Sequence, residues 1–174
     1  MEEKISWSAE SHSGKTLRKW WLGLEEDRAS RAVMRRCATL DAVTLSGAYQ
    51  RFYRYMLACN AWPADAAPWQ NDKLAAIAGL LAHIKTDDNQ RLPIRMSELA
   101  GGRPGDRPLV SELRFRDLLK IETTDDLFVS LRRTLPLISH QASIEQLAHD
   151  IYWWNDKTKK DWAYSYRWPV KQSA

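Results

Sequence analysis

A chain of 174 residues, of which 44% are hydrophobic and nine are tryptophan, can bury one substantial core. It has no apolar run near the roughly 20 residues that cross a bilayer, and its two cysteines, Cys37 and Cys59, have neither the CxxC spacing of a zinc site nor the number of a disulfide framework. The net charge of +4 is modest, so where the charges lie says more than their sum.

The opening MEEKISWSAESHSGK lacks a basic start followed by an apolar block, which predicts a cytoplasmic protein with no membrane partner. Residues 1–14 read as a flexible N-terminus, docked at most loosely through Trp7. Within it, SGKT at Ser13–Thr16 looks like the end of a phosphate-binding loop, but Ala9 stands where that motif needs glycine and no buried strand precedes it. The stretch LRKWWLGLEEDRASRAVMRR, 17–36, keeps one helical phase. Leu17, Trp20, Trp21 and Leu24 share a face, and the same count adds Arg28, Arg31 and Arg35. An apolar face thus becomes a cationic one, suited to a polyanion because arginine forks match phosphate oxygens. A break near Asp27 would instead leave these arginines as solvated surface.

Ser46 is a fitting cap for a second helix, in which Tyr49, Phe52, Tyr53, Met56 and Leu57 form an apolar stripe read as core rather than as a base-stacking platform. WPADAAP, 62–68, is a loop, and DKLAAIAGLLAHIK is a third helix with His83 partly buried or at an interface. The Gly/Pro-rich stretch up to Pro108 is a joint, with a short helical turn near Met96–Leu99. Beyond it Ser111 caps ELRFRDLLKI, Thr124 or Asp125 caps a helix that Pro136 ends or kinks, and Ser143 with Gln146 has capping-box spacing. The last helix carries Trp162 and Tyr166 on one face. Alternating β-branched runs and Asn-Gly turns are missing. The prediction is an all-α fold of about seven to eight helices in two packed helical halves, 15–100 and 109–168, joined by the loop 101–108.

No catalytic constellation assembles. His12, His83, His140 and His149 lack metal-ligand spacing, and no serine or cysteine sits in a nucleophile elbow. The pairs Asp87/Asp88 and Asp125/Asp126 are better placed as caps or dipole partners than as acids and bases. The expectation is a non-enzyme with no metal and no cofactor. Arginine and lysine clusters carry the functional signal instead, recurring from Arg28 to Lys160 with the acidic residues mostly between them.

The ordered set WWLGLEEDRASRAVMRR, RFYRYM, SELRFRDLLKIETTDDLFVSLRRTLPLI and IEQLAHDIYWWNDKTKKDWAYSY resembles the CasB family, the small subunit of the type I-E CRISPR Cascade surveillance complex. The resemblance covers about 150 residues and leaves out the N-terminal extension and the loop 91–108. It implies a helical, non-catalytic protein, present as a pair, that works with other Cascade subunits, guide RNA and target DNA in antiviral defence. The family lines the strands of the R-loop and helps hold the displaced strand. Carried onto matching positions, the nucleic-acid-binding residues are Arg35, Arg36, Arg54, Arg114, Arg132, Arg133, Lys157 and Lys159, with Arg28 and Arg31 in second rank. Neighbouring residues on a helix point about 100° apart, so at most one of each adjacent pair can face a given phosphate. A helical adapter that binds only protein is the second reading, and a metal-dependent nuclease the third.

Overall fold

The computed structural model describes residues 4–170, and helices account for most of them. In chain order they are α1 (His12–Gly23), α2 (Arg28–Arg36), α3 (Leu40–Thr44), α4 (Gly47–Ala58), α5 (Pro68–Leu81), α6 (Leu92–Met96), α7 (Glu112–Leu119), α8 (Thr124–Thr134), α9 (Ile144–Tyr152) and α10 (Asp156–Ser165). The fold is all-α. Ten helices are described against the seven or eight expected, because short helices such as α3 and α6 leave little periodicity to read.

Capping chemistry sets most of the starts. Ser46 accepts from the amide of Tyr49, Ser111 from that of Arg114, and Ser143 from that of Gln146. The cap of α8 is Thr123, one residue before the expected pair, and it leaves Asp125 and Asp126 in the first turn, where the dipole favours them. The Ser143 capping box is only half made, since the Gln146 amide reaches forward to Asp150, 3.0 Å away, rather than back. Pro136 lies in a 3-10 turn, Leu135–Ile138, that follows α8 directly.

Two expectations change. The stretch 17–36 is not one helix: α1 ends at Gly23 and α2 starts after Asp27, whose carboxylate accepts from the Ser30 amide at 3.2 Å. An aspartate that can bond the third amide after it restarts a helix more readily than it continues one. Nor do residues 4–14 trail from the body. Trp7 is fully buried, stacked on Trp62 with centroids 6.0 Å apart, and α1 begins at His12 behind the N-cap Ser11. The SGKT segment is therefore helical. Residues 1–3 of the expected flexible terminus lie outside the described part.

Helix α5 forms the centre. Every residue from Leu74 to Ile84 is buried, and the helix packs on α3, α8 and α9, so one hydrophobic cluster runs through both halves of the chain. Gly79 permits the closest approach, because a β-carbon there would lie 2.9 Å from Phe128 and 2.9 Å from Val43. A two-residue parallel pair also ties the halves together: β1 (Thr86–Asp87) lies beside β2 (Gln141–Ala142). Arg18 of α1 reinforces it by pairing with Asp87 at 2.7 Å and with Glu145 of α9. None of the described helices is long and apolar enough to cross a membrane.

Candidate nucleic-acid interface

The arginine pairs expected to bind phosphate stand mostly at helix C-termini, where a cation complements the dipole: Arg35 and Arg36 end α2, and Arg132 and Arg133 end α8. In each pair the helix turns one residue inward and leaves the other out. Arg132 is half-buried and donates from Nη2 to the carbonyl of Arg35 at 3.2 Å, while Arg133 is exposed. Arg35 is half-buried and Arg36 exposed. The fold thus joins two tandem pairs that lie far apart in the sequence.

Arg31 belongs to the same side of α2 and is largely enclosed, with 17% of its side chain exposed. It donates to the carbonyls of Ala82 at 3.4 Å and Ile84 at 3.2 Å just after α5, and it pairs with Glu25 at 3.3 Å. Bound in this way it serves first to join α2 to the end of the central helix. Arg28, in the first turn of α2, is exposed.

The remaining expected residues lie on other elements. Arg54 is exposed on α4 with its guanidinium 5.9 Å from the Tyr53 ring, and the aromatic stripe beside it is core at Tyr49, Phe52 and Met56. Arg114 is exposed on α7, which packs on α10. There Lys157 and Lys159 differ sharply. Lys157 is 87% exposed, with a loose contact to Asp161 at 3.8 Å. Lys159 is 12% exposed, 5.8 Å from the Trp154 ring centroid and 3.1 Å from Glu122. Their different surroundings follow from the wheel, since residues two apart point to nearly opposite sides.

Two groups that sequence reasoning set aside also lie at the arginine junction. His83, just past α5, and His140, just before β2, hold their rings nearly parallel at 11° with centroids 6.4 Å apart. Burial, and then the charges of Arg132, Arg35 and His140, push the His83 imidazole down to about 4. His140 is lowered by burial first, then by Lys85 and Arg35, with the His83 carbonyl acting the other way. Neither histidine has a spacing that would flag the pair, because only the meeting of β1 and β2 brings them together. On α4, Arg51 reaches Ser30 at 3.4 Å.

Among the described residues no three or more His, Cys, Asp or Glu side chains gather as a metal would need. What the arrangement can do chemically is present guanidinium and ammonium groups to phosphate oxygens without reading bases.

Comparison with known proteins gives two findings. The sequence model of the family described as CRISPR-associated protein Cse2 matches residues 30–166. In fold the chain is similar to a chain in the crystal structure of E. coli Cascade bound to a PAM-containing dsDNA target, with a TM-score of 0.63, 21% identity, and coverage of 86% of this chain and 91% of that one. No curated protein matches.

Proposed function

The chain belongs to the CRISPR-associated Cse2 (CasB) family, and from that premise we propose that it is a non-catalytic small subunit of a type I-E Cascade complex in the cytoplasm. It joins the other Cascade subunits as one of a pair and holds the backbones of guide RNA and target DNA, including the displaced strand. The family match over residues 30–166 carries this reading. The fold's likeness to a chain of a Cascade structure bound to double-stranded DNA agrees with it.

Physical chemistry makes the role economical. Exchanging DNA pairing for RNA–DNA pairing is nearly balanced, so a few phosphate contacts by protein can tip the R-loop toward completion. The exposed cations suited to such contacts are Arg28, Arg36, Arg54, Arg114, Arg133 and Lys157. Arg35 stands half-buried beside Arg132, whereas Arg31 and Lys159 are held mainly by their own chain.

The test is to assemble Cascade from its other subunits and guide RNA with and without this chain, and to measure target binding and strand opening, alongside gel shifts of the isolated chain on single-stranded DNA. Weaker opening without the chain, and salt-sensitive binding indifferent to sequence, are expected. Assembly into the complex with no contribution to nucleic-acid binding would favour the protein-only adapter.

A further inference from the structure

We infer that His83, His140, Arg35 and Arg132 form a binding site for a single phosphate group, and that the two imidazoles take up a proton as it fills. The inference rests on the nucleic-acid reading only for the source of the phosphate, a backbone phosphodiester.

The first observation is a shared hydrogen-bonding deficit. His83 Nε2, His140 Nδ1 and Arg132 Nε are all buried without a partner. Buried polar atoms in native proteins are nearly always paired, and an arginine N–H beside two imidazole nitrogens that become donors on protonation is a set that an acceptor would satisfy. His83 itself is 7% exposed.

The second is the charge around them. Arg35 on α2, Arg132 on α8 and Lys85 in the link between α5 and β1 lie near enough for their charges to lower the imidazole pKa values, while Arg31 donates to the carbonyls on either side of His83. Every charge found to act on the two rings is positive. A metal cation is disfavoured in such surroundings, and an oxyanion such as a phosphodiester is favoured because guanidinium and imidazolium N–H groups both donate to its oxygens. Burial does most to keep the imidazoles uncharged, and neutralising the cations removes the repulsion that adds to it.

The third is backbone strain that holds His140 in place. Ser139 and His140 adopt φ of 58° and 56°, a left-handed region uncommon for residues with a side chain. The turn is locked because His140 donates to the Leu135 carbonyl at 2.9 Å and accepts from the Lys85 amide at 2.9 Å. Lys85 is exposed and His140 and Arg35 are half-buried, so the junction borders solvent on that side.

The test follows the histidine Cε1 protons of the full chain by NMR across a pH series, in phosphate-free buffer, with inorganic phosphate, and with a short oligothymidylate. Oligonucleotide affinity is measured over the same series for wild type, His83→Gln and His140→Gln, with the fold of each checked by circular dichroism. Expected are upward shifts in the titration of His83 and His140 but not of His12 or His149, and affinity rising as pH falls by up to about tenfold per pH unit for each proton taken up. Both variants should flatten that rise. A response to oligonucleotide assigns a phosphodiester, and a response to inorganic phosphate alone assigns a free-phosphate site. Oligonucleotide binding with unmoved histidines overturns the site while leaving the nucleic-acid reading intact. Failure of every probe to bind overturns both. The wild-type titration decides even if a variant fails to fold.

Discussion

Arg132 of α8 donates from Nη2 to the main-chain carbonyl of Arg35, 3.2 Å away in the last turn of α2. A helix C-terminus is therefore capped by a guanidinium from another helix, at the place where the sequence shows two tandem arginine pairs.

This contact separates the roles within Arg132–Arg133. Replacing exposed Arg133 by alanine should weaken binding of single-stranded DNA about equally for unrelated sequences and flatten the log–log salt slope by roughly 0.7. Its stability should stay within about 0.5 kcal/mol of wild type. Arg132→Ala should cost about 1.5–3 kcal/mol, as loss of a hydrogen bond from a charged donor does. A salt series of affinities beside urea unfolding of each variant measures both effects.

Stability should depend on pH through His83. Its pKa is about 4 in the fold against 6.5 for the ordinary group, so between those values the unfolded chain binds more protons. The contribution is fully present above about pH 6.5 and is lost as pH falls toward about 4, with a total of roughly 3 kcal/mol. Urea unfolding in phosphate-free buffer across this window should show the loss in wild type and a flatter profile in His83→Gln.

Glycine to alanine inside a helix ordinarily stabilises by about 0.5–1 kcal/mol. At Gly79 the sign should reverse, because the new methyl would stand 2.9 Å from both Phe128 and Val43 in the packed centre. Overpacking of this kind costs about 1–3 kcal/mol, which a comparison of urea midpoints would reveal.

The tryptophans should divide by burial. Trp162 is fully buried and donates to Asp150 at 2.9 Å, and Trp154 is buried and donates to the Ile121 carbonyl at 2.9 Å. Either substitution by alanine should cost about 3–5 kcal/mol. Trp21 is half-buried at the edge of the core, so Trp21→Ala should cost roughly 1–2 kcal/mol. Thermal melts of the three variants give the ranking.

Catalysis can be tested directly. With magnesium or manganese, the purified protein should leave single- and double-stranded DNA and RNA uncut. Cleavage that follows the protein peak and disappears on substitution of one carboxylate would favour the nuclease reading.

Helix content and most helix starts were legible in the sequence, because caps and a 3.6-residue period act over a few residues. Ser46, Ser111 and Ser143 announce their helices locally, and the stripe of Tyr49, Phe52 and Met56 announces its burial. The basic pairs were legible as pairs. Which member turns inward was not, because Arg132 is enclosed only where α8 meets the end of α2. The same holds for the break at Asp27, whose carboxylate can either solvate a continuous helix or cap a new one, and for His83 and His140, which meet only through the pairing of β1 with β2. Local propensity comes from a residue and its neighbours within a turn or two. Burial, pKa and the meeting of distant cations are properties of the packed surfaces, and those exist only once the helices have docked.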